Sequence, residues 1–285
     1  MSTVLVFGAS GSVGQFLLPL LSPGHHVIAV SRTPPQDQVR GQAGWIRGDL
    51  NERDIAWPAA HVIISLGPLD AFAAWLQRYP ATSLRRVIAL SSMSVVSKRE
   101  SMDPLERALA ERLLAAESSV IASAAERGIA FTLFRPTLIY GAGIDRSLAP
   151  IARFARRWRV LPVPFAARGV RQPVHARDLA GACSGALFNS ATFGNTYALG
   201  GGERLRFATL LLRLRAAQPG LVLPLPVPLI ALRLAARLRS GSFSASAVAR
   251  LRQPLIAEHG DAVRDFGYAP ASFIASDVLP SSKNV

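Results

Sequence analysis

The stretch VLVFGASGSVGQFLLPLL, from Val4 to Leu21, decides the fold of this 285-residue chain. It opens with a run of apolar, β-prone residues, breaks into glycine and serine, and resumes with apolar residues at helical spacing. This order predicts a strand, a tight turn and a helix.

The glycines of this stretch form the pattern G-x-x-G-x-x-G. A turn without Cβ atoms lets backbone amides approach a pyrophosphate, and the N-terminus of the following helix attracts its negative charge. Two serine hydroxyls in the turn add hydrogen-bond donors. The pattern predicts a dinucleotide site, with contacts from Gly8, Ser10, Gly11, Ser12, Val13 and Gly14.

The predicted second strand ends in AVSR, which bears on the form of the dinucleotide. A site that prefers NAD carries Asp or Glu there to bind the ribose hydroxyls, whereas this chain has the small, uncharged Ser31. The guanidinium of Arg32 is suited to a 2′-phosphate. We therefore predict NADP as the cofactor, with NAD less favoured.

Asp49 and Leu50 follow the predicted third strand in the stretch RGDLNERD. The Asp49 carboxylate can accept hydrogen bonds from an adenine amino group, or it can cap a following helical turn. Both interpretations fit the sequence equally well.

Further apolar runs predict strands at residues 26–30, 44–47, 61–65, 86–90 and 130–134, with helical patterns between several of them. Strands that alternate with helices predict an α/β fold with a Rossmann-type, doubly wound parallel sheet. Beyond residue 145 the alternation fades into Arg- and Pro-rich segments, which predict a smaller C-terminal substrate lobe. We expect the dinucleotide-binding domain at residues 1–145 and 172–199, and the lobe at 146–171 and 200–285.

The longest predicted helix follows Asp103, which is expected to cap it, with Pro104 in its first turn and Glu106 completing a capping box. Gly128 is expected to end it. The apolar periodicity predicts a buried stripe made of Leu105, Leu109, Leu113, Ala116 and Val120.

The positive charge of the chain is concentrated in its second half. Residues 1–145 carry 13 basic against 12 acidic residues, whereas residues 146–285 carry 19 against 6. Lys98 and Lys283 are the only lysines, so the excess is almost entirely guanidinium, which suits phosphate and carboxylate. The asymmetry slightly favours an anionic partner over a merely solvated surface.

Cysteine and histidine usage excludes two classes of site. A single cysteine, Cys183, cannot form an internal disulfide framework, and five scattered histidines show no zinc-site spacing, so no metal is predicted. No signal peptide or membrane span is predicted, and the cytoplasm is the expected location.

With these residues in place the chain resembles the extended and atypical branches of the short-chain dehydrogenase/reductase superfamily, which include nucleotide-sugar epimerases and dehydratases. The resemblance covers most of the chain. It rests on the order and spacing of GASGSVG, GDL after the third strand, ALSSMSV at the fifth, LFRPTLIYG at the sixth, and RQPVHARDLAGA beyond.

The resemblance implies roles for particular residues. Ser92 corresponds to the active-site serine that binds a substrate oxygen, although it could instead satisfy backbone groups at a strand end. Gly67 corresponds to the backbone approach to the cofactor, and Pro136 and Ile139 to the turn beside the nicotinamide. Arg171 stands seven residues before Asp178, like the arginine that binds the substrate diphosphate in UDP-sugar epimerases.

Two nearby residues have structural interpretations. Asp178 is expected to cap the helix DLAGACSGALF, and His175 to be a packed strand residue rather than an acid or base.

The pair Tyr-x-x-x-Lys, which the family uses for proton transfer, is absent from the sequence. Counting back from Glu117, which resembles the family's glutamate after the lysine, puts Leu109 and Leu113 in the two positions. Counting from the start of the helix puts Asp103 and Arg107 there instead. A general acid typically supplies about two to four orders of magnitude in rate, so the departure puts the family's activity in doubt while cofactor binding is unaffected.

Three functions remain open. The first, slightly favoured, is an NADP-dependent oxidoreductase with a non-standard active site, acting on a phosphate- or carboxylate-bearing small molecule. The second is a catalytically silent NADP-binding protein, such as a redox sensor like the NmrA-type regulators or an assembly module like the accessory subunit of respiratory complex I. The third is a partner of membrane surfaces or, less favoured, of nucleic acid. It would use the arginines that flank Trp158 together with Arg233 and Arg237. A monomer or homodimer is expected.

Overall fold

The computed structural model describes residues 1–35, 43–52, 55–80, 82–164, 166–231 and 251–279. Within them the strands are β1 (Ser2–Phe7), β2 (His25–Ser31), β3 (Gly44–Arg47), β4 (Val62–Ser65), β5 (Arg86–Leu90), β6 (Ala130–Pro136), β7 (Ile139–Tyr140), β8 (Val160–Pro164), β9 (Val170–Arg171), β10 (Val174–His175), β11 (Asn195–Leu199), β12 (Leu205–Arg206) and β13 (Leu223–Val227). The helices are α1 (Ser12–Leu21), α2 (Leu69–Arg78), α3 (Ser94–Ser97), α4 (Pro104–Glu126), α5 (Ala149–Trp158), α6 (Ala176–Gly185), α7 (Phe207–Ala216) and α8 (Gly260–Phe266). Short 3-10 turns cover Ser190–Thr192 and Ala275–Val278.

The main sheet of the described residues has seven parallel strands in the order β11-β6-β5-β4-β1-β2-β3. The predicted Rossmann-type sheet is therefore confirmed, with β3 and β5 at the predicted bounds. The strand order reverses beside β1, so a crevice opens there at the carboxyl ends of the strands.

Helices cover both faces of this sheet, which explains why its central strands are almost continuously apolar. On one face α1 and α6 pack against Val4 and Val6 of β1. On the other, α2 and α4 pack against Leu5 and Phe7. Phe7 makes edge contacts with two tryptophans, Trp57 and Trp75, at ring-centroid distances of 5.3 and 4.6 Å.

The remaining elements form three two-stranded sheets, β10-β7, β12-β9 and β13-β8, with α5 and α7 beside them. Their core is a separate apolar cluster that includes Tyr140, Leu161, Leu210 and Phe273. The proposed division of the chain into two domains stays a prediction.

Helix α4 begins where predicted, but a different side chain of its first turn is buried. Asp103 caps it by accepting a hydrogen bond from the Leu105 amide at 2.9 Å. Leu105, expected in the buried stripe, is 81% exposed, whereas Glu106 is buried. The Glu106 carboxylate accepts from the Ser101 hydroxyl, and the Ser101 oxygen accepts from the Asp103 amide. The interaction expected of a capping box thus passes through Ser101.

A buried ion pair fixes the middle of α4 to the sheet. Glu117 is almost completely buried and accepts from Arg135 of β6 and from the Ser91 hydroxyl. The hydrogen bond from Arg135 to Glu117 raises the pKa of the guanidinium. Removing one partner of such a pair leaves the other charge unmatched in a poorly solvated place.

We expect Glu117→Gln to lower the free energy of unfolding by about 2 kcal/mol, because Arg135 would keep its charge but lose the carboxylate. Urea denaturation measures this. Glu126→Gln, on the exposed end of the same helix, is the matched control and should change stability by less than about 0.5 kcal/mol. Equal effects of the two substitutions would contradict the role assigned to the ion pair.

Candidate functional site

A cleft of about 810 Å³ lies at the carboxyl ends of the central strands. We call it the carboxyl-edge cleft. Its lining comes from the β1–α1 turn, the ends of β2 and β4, the segment after β3, and the segment that joins β6 to α5. The predicted cofactor residues in the lining are Gly8, Ser10, Gly11, Ser12, Val13, Ser31, Arg32, Asp49, Leu50, Gly67 and Ile139.

The glycine turn has the geometry that a bound pyrophosphate requires. Gly8 has φ +72°, and a Cβ there would lie 3.1 Å from the Gly67 amide nitrogen, so the two loops touch through bare backbone. Gly14 does not line the cleft but packs against the turn, since a Cβ there would lie 2.1 Å from the Ala9 carbonyl oxygen. Helix α1 has no side-chain cap and no acid in its first turn. Its N-terminal amides therefore remain available for an anion.

Ser31 at the end of β2 is engaged within the protein. Its hydroxyl lies 2.8 Å from that of Ser10 and accepts from the Thr33 amide at 3.1 Å. These contacts tie the glycine turn to the end of β2. The position that an NAD-specific acid would occupy is therefore filled by an uncharged group that spans the two loops.

Two arginines, Arg32 and Arg47, flank a shallow pocket of about 460 Å³ at the β2–β3 end of the cleft. Arg32 is 76% exposed, and its Nε lies 3.8 Å from the Asp49 carboxylate. The β2–β3 pairing places Arg47 opposite Ser31. The sequence did not predict that Arg47 lines this pocket. The position of Arg47 follows from the pairing of β3 with β2, which brings the ends of the two strands together.

Asp49 forms the floor of this pocket and organises the turn after β3. It accepts hydrogen bonds from the amide nitrogen and the side-chain nitrogen of Asn51, at 2.9 and 2.8 Å. The Asp49 carbonyl also accepts from the Glu52 amide at 3.1 Å, so the carboxylate caps the turn that follows, as the capping interpretation expected. The adenine contact stays a prediction.

The opposite wall of the cleft follows β6. The Pro136 carbonyl accepts from the Met93 amide at 3.0 Å, and Pro136 itself is not in the lining. Thr137 and Ile139 do line it, and the Thr137 hydroxyl donates to the Gln172 carbonyl. The proposed nicotinamide turn therefore presents Thr137 and Ile139, with Pro136 behind them.

The segment before α5 forms a wall that sequence reasoning missed. Gly141, Ala142 and Gly143 have φ values of +117°, +59° and +67°, and the next four residues, 144–147, line the cleft. Asp145 Oδ1 accepts from the amides of Ser147, Leu148 and Ala149 at 2.6–3.1 Å, which fixes the turn just before α5. The stretch GAGID, residues 141–145, was the available signal for this turn.

Asp145 and Arg146 are the charged residues of this wall. Asp145 Oδ2 is buried and has no hydrogen-bond partner, and Arg146 is exposed. The exposed Arg146 guanidinium favours a ligand anion, whereas Asp145 Oδ2 is enclosed by protein and is not open to a ligand in the cleft.

Ser92 does not line the carboxyl-edge cleft. Its oxygen accepts from the Ser94 amide and lies 3.1 Å from the Ser94 hydroxyl, both contacts within its own turn. The structural interpretation weighed for Ser92 describes these contacts. Its catalytic role stays a prediction.

The structure describes the surroundings of both placements of the missing Tyr/Lys pair. Asp103 lies outside α4 as its cap, and Arg107 donates to the Ser101 carbonyl at 2.6 Å. The alternative pair, Leu109 and Leu113, lies on α4 one turn apart, and both side chains are half-buried. Neither leucine can donate or accept a proton.

Arg171, the predicted substrate ligand, is buried outside the cleft lining. It donates to the carbonyls of Val170 and Gln253, at 3.0 and 2.6 Å, and its guanidinium lies over the Phe207 ring. Burial lowers the pKa of this guanidinium. The structure uses Arg171 to join two distant parts of the chain, and its role as a substrate ligand stays a prediction.

The predicted cap of α6 is wrong. The helix begins at Ala176, one turn earlier than the Asp178 cap requires, and His175 caps it by accepting from the Arg177 amide at 2.9 Å. Asp178 accepts instead from the Ala271 amide. His175 is buried in β10, as the structural interpretation expected.

Because His175 Nδ1 accepts a hydrogen bond, Nε2 carries the proton, and it lies 3.4 Å from the Asp277 carboxylate. Burial lowers the pKa of His175 below its ordinary value despite this carboxylate. The unfolded chain then binds the proton more readily, so stability falls as pH drops below about 6.5.

We expect His175→Gln to weaken this pH dependence, measured as the urea midpoint between about pH 7.5 and about pH 5.5. His26→Gln, at an exposed position, is the control and should leave it unchanged. The same loss of stability on acidification in wild type and His175→Gln would refute the assignment.

Comparison with solved structures shows the same fold. MoeE5 in complex with UDP-glucose and NAD matches with a TM-score of 0.70 at 18% identity, over 97% of this chain and 96% of that one. The UDP-glucuronic acid 4-epimerase from Bacillus cereus, in complex with UDP-glucuronic acid and NAD, matches with a TM-score of 0.70 at 14% identity, over 97% and 96%. A short-chain dehydrogenase/reductase superfamily protein from Agrobacterium tumefaciens with bound NAD matches with a TM-score of 0.68 at 16% identity, over 97% and 94%.

No protein-family model matches the chain, and no curated protein sequence is significantly similar to it. Among the described residues, none of the helices has the length and apolar character needed to cross a bilayer. The chain has the Rossmann-type fold of these solved proteins, as the sequence motifs predicted.

Proposed function

We propose that this chain is an NADP-dependent oxidoreductase of the extended short-chain dehydrogenase/reductase group, acting on an anionic small molecule. The observation that carries the proposal is the layout of the carboxyl-edge cleft. A glycine turn and an uncapped helix N-terminus lie at β1, and two arginines stand at the ends of β2 and β3. A dinucleotide lying across the strand ends would meet both.

The preference for NADP rests on charge at the β2–β3 end. The neighbours named above are complexed with NAD, whose ribose carries no 2′-phosphate. In this chain Ser31 supplies no carboxylate, and Arg32 and Arg47 offer guanidinium groups to a phosphate. The nearby Asp49 carboxylate is half-buried and already accepts two hydrogen bonds, which leaves the arginines as the exposed charges.

The substrate would bind beside Thr137 and Ile139, under the wall that precedes α5. Arg146 is placed in the cleft lining to hold a phosphate or carboxylate, the role expected of Arg171 from the sequence. The UDP-sugars of the neighbouring structures carry anionic groups of this kind.

Bound NADPH would supply a hydride to the substrate carbonyl carbon. The residues around the cleft supply positioning and charge, but Leu109 and Leu113 supply no proton for the carbonyl oxygen. That proton would come from water, at a cost of about two to four orders of magnitude relative to a side-chain acid. The acceptor is therefore expected to be an intrinsically reactive carbonyl compound.

A second function, a catalytically silent NADP-binding protein, is favoured by one specific observation. Ser92 is bonded within its own turn, and one of the two placements of the missing Tyr/Lys pair puts aliphatic side chains, Leu109 and Leu113, at the positions of the proton relay. Such a site can bind and report the cofactor without using it.

Calorimetric titration with NADP⁺ and NAD⁺, followed by NADPH oxidation assays, separates these functions. The acceptors would be a panel of aldehydes, ketones and enones, with and without phosphate or carboxylate groups. Turnover of an anionic acceptor that is lost in Arg146→Gln supports the oxidoreductase. Tight NADP binding without turnover of any acceptor supports the silent protein. Absence of binding by either dinucleotide would overturn both.

A further inference from the structure

Helix α5 has an inverted distribution of apolar side chains. The residues it buries against the rest of the protein are small, namely Ala149, Ala152 and Ala155. Ile151 packs partly buried against the same core, but the two aromatic residues of α5 face outward, with Phe154 45% exposed and Trp158 65% exposed. A surface helix normally buries its largest apolar residues, so this arrangement loses hydrophobic stabilisation unless something covers the aromatic rings.

The exposed apolar surface continues onto β13. Leu221, Leu223 and Leu225 are 74%, 56% and 50% exposed. They adjoin the end of α5, because the Arg159 carbonyl accepts from the Leu223 amide at 2.9 Å and the Arg159 guanidinium donates to the Pro219 carbonyl at 3.0 Å. We call the exposed residues 153–159 and 221–225 the α5–β13 face.

The charge of the α5–β13 face is entirely positive. Arg153, Arg156, Arg157 and Arg159 are exposed there, and none of them pairs with a carboxylate among the described residues. Arg233 and Arg237, which were predicted to act with these arginines, lie outside the described residues. The positive charge of this face therefore favours an anionic partner, and its leucines and aromatic rings favour a partner that also has an apolar part.

We propose that the α5–β13 face binds the surface of an anionic lipid bilayer. Leucines and aromatic rings can enter the boundary between headgroups and acyl chains while the arginines reach phosphates above it. A second copy of the chain would bring like charges together, which disfavours self-association through this face. Nucleic acid would leave Leu221 and the two leucines of β13, Leu223 and Leu225, without stacking partners.

The test uses the full-length protein and sedimentation with vesicles of phosphatidylcholine alone or mixed equally with phosphatidylglycerol. We expect binding to the mixed vesicles, weakening steeply with salt, and a blue shift of tryptophan fluorescence that is lost in Trp158→Ser. The double substitution Arg156→Gln with Arg157→Gln should weaken vesicle binding about thirtyfold, since the two arginines are expected to contribute about equally to the free energy of binding to an anionic surface. Phe154→Ser with Leu223→Ser should weaken it as well.

The control is Arg85→Gln with Arg99→Gln, which removes the same charge from exposed positions elsewhere. Binding that is equally weakened by the control pair would overturn the proposal, as would equal binding to pure phosphatidylcholine or no binding to either vesicle. Tighter binding to duplex DNA or polyglutamate than to mixed vesicles would also overturn it. NADP titration of every variant checks that the fold and the cleft are intact.

Discussion

Replacing Gly14 by alanine is expected to weaken dinucleotide binding about a hundredfold and to destabilise the fold by about 3 kcal/mol. The added Cβ would lie 2.1 Å from the Ala9 carbonyl oxygen and 2.7 Å from its Cα. These are backbone atoms of the β1–α1 turn, so they cannot rotate away. Either α1 or the turn must shift, and both carry the amides that we propose bind the cofactor pyrophosphate.

The measurements are calorimetric titration with NADP⁺ and urea denaturation. Gly24→Ala is a matched control in the same βαβ unit, because a Cβ there meets nothing within 4 Å. It should leave both quantities within about 0.5 kcal/mol of wild type. If Gly14→Ala bound NADP⁺ as tightly as Gly24→Ala does, the glycine turn would not be the cofactor site.

The elements predicted well are those whose signal is local. A run of apolar residues bounded by turn residues defined β3 and β5, and the glycine spacing defined the β1–α1 turn. At the start of α4 the same kind of reasoning was wrong for Leu105. There the orientation follows from the hydrogen bond between Glu106 and Ser101, which periodicity cannot reveal.

The parts of the site that could not be predicted depend on contacts between distant segments. Arg171 donates a hydrogen bond to the carbonyl of residue 253, and the sequence around Arg171 does not predict this partner. Arg47 lines the pocket at the β2–β3 end because β3 pairs with β2, whereas Arg146 lines the carboxyl-edge cleft because the left-handed turn at 141–143 redirects the chain. The sequence could predict that arginines take part in the site, but only the tertiary fold shows which arginines line the cleft.

Arg32→Gln combined with Arg47→Gln is expected to weaken NADP binding about a thousandfold while leaving NAD binding unchanged. Each charge-assisted contact to a phosphate is worth about 2 kcal/mol, and only NADP carries the phosphate that these residues would contact. Each single substitution should weaken NADP binding about thirtyfold. If the double substitution weakened NADP binding by more than the product of the two single effects, the two arginines would be energetically coupled.

Arg85→Gln is the matched control, because Arg85 is exposed at the opposite end of the parallel sheet, just before β5 begins. Titrations at two salt concentrations separate a local contact from a general effect of net charge, which salt screens over about 10 Å. Equal losses for NADP and NAD in the Arg32/Arg47 variant would mean that the pair shapes the pocket without reading the phosphate. An unchanged NADP affinity would show that neither arginine contacts the 2′-phosphate. Selective loss of NADP that persists at the higher salt concentration, and that Arg85→Gln does not reproduce, would support a guanidinium–phosphate contact at the ends of β2 and β3.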